Sequence, residues 1–209
     1  MKSNRQFDMN QEKLVNAFIM RYFFNKRYKK VEYINDIHRQ LLGIDVIADG
    51  INIDLKAQSS ERYLNNPTDT FAVELSFISA SNEETVGWFL DKRLKTELYG
   101  FIWIPEATTT NGMLTTVDSI QKMEVMLVNK RLLKQYINGY MTDDELYRKS
   151  VQMRVDGRWK MDCGIDGVHM SHSTRFRELP TNLVIKKQVL KKCSVGHYMV
   201  TKDNIEEIT

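Results

Sequence analysis

Apolar residues near the start of the chain recur at helical spacing. Leu14, Val15, Phe18, Ile19, Tyr22 and Phe23 form one stripe, which predicts a helix capped by Asn10 and running to about Phe24. The spacing then changes to alternation. From Gly43 to Gln58 the sequence GIDVIADGINIDLKAQ reads as two short strands, with Asp49-Gly50 supplying the two positive-φ positions of a tight hairpin turn. Counting outward from that turn pairs Ala48 with Ile51, Ile47 with Asn52, Val46 with Ile53 and Asp45 with Asp54. One face of the ribbon is apolar: Ile44, Val46, Ala48, Ile51, Ile53, Leu55 and Ala57. The other carries Gly43, Asp45, Ile47, Asn52, Asp54, Lys56 and Gln58.

After a polar loop from Ser59 to Asp69, Thr70 to Ile78 alternates again, with Phe71, Val73, Leu75 and Phe77 opposite Ala72, Glu74 and Ser76. If that strand pairs beside the Asp54 strand, Glu74 either joins the acidic face or balances Lys56. Leu98 to Pro105 is almost continuously apolar, which predicts a strand buried on both faces. Lys95, Thr96 and Tyr99, at its entrance, read as structural or as substrate contacts. Glu124 to Val128 reads as a strand and Lys130 to Tyr140 as a helix. Thr142-Asp143-Asp144-Glu145 is a capping box that opens another helix. Gly157 to Leu179 reads as irregular, and Asn182 to Leu190 as a strand. Together these predict an α/β fold with a central mixed β-sheet flanked by helices. Residues 1–140 are expected to form the core domain, with 141–209 an extension packed on it rather than an independent domain.

Composition narrows the function. At 209 residues and 42% hydrophobic content, the chain can build a sizeable core. Two cysteines, Cys163 and Cys193, do not suggest a disulfide framework. No apolar run approaches the roughly 20 residues that span a bilayer, and the opening MKSNRQFDMNQEK has no hydrophobic signal core. A cytoplasmic protein without a membrane partner is expected. The net charge is only +3, but two basic tracts, Lys26 to Lys30 and Lys186 to Lys192, can follow a phosphate backbone or form solvated edges. Phosphate-loop and dinucleotide-binding glycine motifs are absent from the sequence. Cys163, His169, His172, Cys193 and His197 lack the paired spacing of a zinc site.

The chemistry rests on the hairpin. Two carboxylates directly across a strand pair repel one another unless positive charge lies beside them. A hard divalent cation such as magnesium removes that penalty, since it is held by one or two carboxylates together with water and substrate phosphate. Lys56, two residues beyond Asp54 and on the same face, places an ammonium beside such an ion. The simpler reading of the same residues is a solvated outer face on which Lys56 partly neutralises the aspartates.

Asp45, the turn, and Asp54-Leu55-Lys56 together resemble the PD-(D/E)xK nuclease superfamily, in particular members of the phage or mobile-element type. The resemblance implies a restriction endonuclease-like core and magnesium-dependent hydrolysis of phosphodiester bonds in DNA by an endonuclease or exonuclease. Manganese is expected to substitute. By this likeness Asp45 is the first motif aspartate, Asp54 the second acidic ligand and Lys56 the motif lysine. Asp45 and Asp54 are thus the implied metal ligands. Gln58 resembles a glutamine that some members carry after the lysine, and Glu12 is the candidate for an acidic residue on the preceding helix. Ile44 stands where the family name has proline. Many members dimerise to cut two strands, which makes a homodimer an expected partner alongside DNA. The alternative function is a catalytically inactive protein of the same fold that serves as a DNA-binding or protein-interaction module.

Overall fold

Helix α1 covers Asn4–Ile19, so Asn10 lies in its interior instead of capping its start. Between Asn4 and Asn10 no proline or glycine stops the helix from extending backward. The structure, a computed structural model, describes residues 4–208, with side chains from Asn10 onward; Met1–Ser3 of the opening segment lie outside them. Past Ile19, Met20–Phe24 wind into a π turn closed by the Asn25 amide on the Met20 carbonyl. That wider turn brings three successive aromatic residues, Tyr22, Phe23 and Phe24, into the core, where a regular stripe would leave Phe24 outside.

Helix α2 (Asn25–Arg27), strand β1 (Val31–Tyr33), helix α3 (Ile37–Gln40) and strands β2 (Val46–Ala48) and β3 (Ile51–Ala57) follow. Next come β4 (Thr70–Ile78), β5 (Glu84–Val86), β6 (Leu98–Ala107) and β7 (Ile120–Asn129). The chain continues through α4 (Lys130–Asn138), α5 (Asp143–Val155), β8 (Lys160–Ile165), β9 (Val168–His172), β10 (Thr181–Lys186) and α6 (Lys187–Lys192). It ends with β11 (Ser194–Val200) and β12 (Ile205–Glu207). Contacts divide this α/β fold into two compact units. Met1–Thr68, Lys95–Asn129 and Ser194–Thr209 make the first, and Asp69–Leu94 with Lys130–Cys193 make the second. Residues 1–140 and 141–209 therefore each contribute to both units.

The first unit is a seven-stranded mixed sheet in the order β1-β2-β3-β6-β7-β11-β12. Its one parallel pairing joins β3 to β6, with Asp54 opposite Tyr99 and Lys56 opposite Phe101. Helix α1 and the π turn cover one face: Val15, Phe18, Ile19 and Phe23 pack with Val46, Ile53, Ile102, Val125 and Val200. Each fully buried aromatic in this cluster contributes about 2–3 kcal/mol. Leu98 to Ile104 are buried throughout, as expected for a strand covered on both faces.

The second unit is an antiparallel sheet in the order β5-β4-β10-β9-β8. β4 has the bounds and apolar face expected from its alternation, but it pairs with β10 and β5, not with the Asp54 strand. Thr142 and Glu145 form the expected reciprocal cap, their bonds 2.8 and 3.3 Å long. The segment read as irregular contains the β8/β9 hairpin, turned at Asp166-Gly167 with Ile165 opposite Val168. The expected strand over 182–190 stops at Lys186, and Lys187–Lys192 is helical. Cys163 and Cys193 are buried and unbridged.

Candidate metal centre

The hairpin forms in the register counted from its turn as far as Val46 and Ile53, but the expected pairing of Asp45 with Asp54 is not part of the ladder, because the Asp45 amide turns to the Ile53 carbonyl instead. Val46 faces Ile53, Ile47 faces Asn52 and Ala48 faces Ile51, while Asp49 and Gly50 hold φ of 48° and 89°. Asp45 sits one residue ahead of β2. Its amide donates to the Ile53 carbonyl at 2.9 Å, and its carbonyl accepts from Ile34 at 2.8 Å. Its side chain turns across to β3, where Oδ2 accepts the Leu55 amide at 2.7 Å. The hydrogen-bonded backbone on both sides thus fixes this carboxylate beside β3.

Asp54 is 2% exposed. Its Oδ1 accepts a 2.6 Å hydrogen bond from Lys56 Nζ. Oδ2 is buried and has no hydrogen-bond partner among the described residues. A buried carboxylate oxygen left this way is costly, because water is gone and nothing replaces it. Tyr99 and Phe101, stacked with ring centroids 5.7 Å apart, occupy the register positions beside Asp54 and Lys56. They supply a low-dielectric wall. The pairing that puts them there joins distant segments, so no local pattern in the sequence discloses it.

The electrostatics follow from this packing. Burial pushes the Asp54 carboxyl up to about 6 against the pull of Lys56, and the charge and direct carboxyl contact of Asp45 add to the rise. For Lys56 burial works downward, but Asp54 and Asp45, with Glu12 behind them, outweigh it and hold the ammonium above its ordinary value. Glu12, exposed on the α1 flank, is pushed upward by partial desolvation and then by Asp45, with Lys56 opposing. It lies well inside α1, so a first-turn role complementing the helix dipole does not apply. Asp45 and Lys56 thus act on both Asp54 and Glu12.

Gln58 is placed differently. Its Nε2 donates to Thr68 Oγ1 at 2.8 Å and its Oε1 accepts the Thr68 amide at 3.1 Å, which ties the loop over 59–68 back to the end of β3. Thr96 is structural: its hydroxyl donates to the Gly43 carbonyl at 2.7 Å and anchors the approach to Asp45. β3 takes β2 and β6 as its neighbours, so strand pairing does not bring Glu74 to Asp54.

The first basic tract ends at the turn of the hairpin, not at the acids. Lys30 exchanges two 2.8 Å bonds with Asp49, at the opposite end of β2 from Asp45. The second tract lies on β10 and α6 of the second unit.

Among the described residues no group of three or more His, Cys, Asp or Glu side chains is gathered closely enough to hold an ion. What the hairpin offers an ion is therefore at most the two carboxylates of Asp45 and Asp54, both hard oxygen groups. That set fits magnesium, which keeps several waters and completes its shell with phosphate, better than an ion that needs an all-protein cage. Asp54 Oδ2, buried and without a hydrogen-bond partner among the described residues, is the atom at which such an ion would have to bind. Among the described residues no helix is long and apolar enough to cross a membrane. Compared with known protein families, with curated proteins and with solved structures, the chain matches none.

Proposed function

We propose that the chain is a magnesium-dependent nuclease that hydrolyses phosphodiester bonds in DNA, as its likeness to the PD-(D/E)xK superfamily implies. One observation carries the reading: a buried carboxylate with an unsatisfied oxygen lies against a second carboxylate and beside an ammonium. An outer strand face that was merely solvated would leave these groups in water. Here Asp54 is withdrawn from it.

Asp45 and Asp54 are the residues that would hold the ion, magnesium or in its place manganese. When bound, such an ion lowers the pKa of a water and offsets charge on the scissile phosphate. The chain's own groups supply the rest. Asp54 must be ionised to act as a ligand, so a proton competes with the ion below about 6. Lys56 stays protonated and brings fixed positive charge to the place where negative charge grows on phosphorus and its oxygens. In this reading Glu12 contributes a third carboxyl from the helix side, coupled by charge to Asp45 and Lys56. Gln58 acts on position, by fastening the loop that follows β3.

Cleavage of supercoiled plasmid and of single-stranded DNA, with magnesium or manganese, tests the reading. Asp54→Asn and Lys56→Ala should each lower the rate by about a hundredfold or more, the usual cost of removing one preorganised electrostatic group. Undiminished cutting by both variants would remove the proposed site. The catalytically inactive module predicts another pattern: DNA binding without metal, steeply weakened by salt, and no cutting by the wild-type chain.

A further inference from the structure

We propose that the second unit carries a stacking platform for single-stranded nucleic acid, where Trp159 and Phe176 stand in water at one end of its sheet, each between two cations. The inference is independent of the cation site and stands whether or not Asp45 and Asp54 hold an ion.

The placement follows from strand direction. β8 starts at Lys160, β9 ends at His172 and β10 starts at Thr181, and because the three run antiparallel these points share one end of the sheet. Trp159 immediately precedes β8 and is 74% exposed. Its backbone is still held in the ladder, since its carbonyl accepts the His172 amide at 3.0 Å. Phe176 is 59% exposed on the connection between β9 and β10. That connection is also pinned. Ser173 donates to Pro180 at 3.0 Å, Leu179 to Phe176 at 3.1 Å and Ile78 to Glu178 at 2.7 Å. From α5, Arg154 Nε adds a 2.9 Å bond to the Leu179 carbonyl. Both rings are therefore presented from fixed backbone.

The sequence around each ring repeats one arrangement, Arg158-Trp159-Lys160 and Arg175-Phe176-Arg177, and all four cations are exposed. Two acids stand among them. Asp156 lies 3.4 Å from Arg158, and Glu178 follows Arg177; four cations less two acids leave a net positive surface. Glu84, at the β5 edge, is already engaged by Arg154 at 2.6 Å. A nucleic-acid strand alternates a flat base with a phosphate, and an aromatic ring flanked by cations complements both parts of that repeat. In a duplex the base faces are stacked on one another and cannot reach such rings. The platform accordingly selects single strands, by stacking more than by reading base edges.

Fluorescence anisotropy of labelled oligothymidylate, with the full chain in EDTA so that no cleavage occurs, tests the proposal. A duplex of the same length is the reference. The expected result is tighter binding of the single strand, weakened about tenfold by Trp159→Ala or Phe176→Ala, as loss of one stacked base implies. Trp159→Phe should retain most of the affinity, and Arg177→Ala should make binding less sensitive to salt. These positions are exposed, so circular dichroism of the variants should match the parent. Equal affinity for duplex and single strand, or no change in Trp159→Ala, overturns the proposal. So does the absence of DNA binding combined with self-association that Trp159→Ala abolishes, because a second copy then covers the platform.

Discussion

Asp54 combines burial at 2% exposure with a carboxyl lifted from 3.8 to about 6, chiefly by loss of solvent. In the absence of a cation the folded chain therefore binds a proton more tightly than the unfolded chain does. The stability this contributes is fully present below 3.8 and is lost as pH rises through about 6. The lift corresponds to roughly 3 kcal/mol. Replacing Asp54 by Asn removes the titration while keeping the shape. In metal-free buffer, melting temperatures measured across this range should show Asp54→Asn gaining on the wild type as pH rises, then holding a constant difference above about 6. A difference that does not change with pH would mean that burial does not govern this carboxyl. The same proton competes with a metal. Manganese affinity should fall about tenfold per pH unit below about 6, with a proton released on binding.

The hairpin is the element that turns two separate aspartates into a pair, and its turn depends on Gly50 at φ 89°. A Cβ there would meet nothing within 4 Å, so the cost of Gly50→Ala is conformational and not steric. It should destabilise the chain by about 1–2 kcal/mol in thermal denaturation, with manganese binding retained. Loss of binding without loss of stability would show that the turn aligns the site more delicately than its hydrogen bonds suggest. This hairpin is legible in the sequence as far as Val46 and Ile53, because what determines it there is local: Asp49-Gly50, the alternation on either side, and a register reached by counting. The turn of the Asp45 amide to Ile53, which takes it off the pairing with Asp54, is not. The equivalent cue at Asp166-Gly167 is equally local, but Gly164 and a register irregularity between Asp162 and Ile165 blur the alternation of β8. What no local pattern could disclose was pairing between distant segments. β4 has the expected strand but belongs to the other sheet, and the aromatic wall beside Asp54 exists only because β6 returns alongside β3. Glu12 is a candidate only through the family resemblance, since it falls on the flank of the apolar stripe and not in it. The start of its helix was not legible, because residues 4–9 contain nothing that breaks a helix and the cap residue at Asn10 was not needed.

At the scale of the whole molecule, the first unit is assembled from three stretches of chain, the last of which supplies β11 and β12. A fragment of residues 1–140 lacks β11, which pairs with β7 from Met123 to Val128 and buries Tyr198 and Val200 in the α1 core. Such a fragment leaves a long apolar edge unpaired, and its circular dichroism melt should show no cooperative transition. A cooperative melt would mean that the first five strands of the sheet suffice. On the expectation of no cooperative transition, β11 and β12 support the sheet in which the Asp45–Asp54 hairpin is embedded, and the function proposed for the chain depends on those two carboxylates sharing an ion. Calorimetric titration of manganese into the full chain near neutral pH measures that sharing without reference to any substrate. The wild type should bind manganese, and Asp45→Ala and Asp54→Asn should each lose at least about tenfold in affinity while remaining folded, since each removes one of two carboxylate ligands. Wild-type protein that takes up no manganese, or variants that bind it as tightly, would contradict the proposed site.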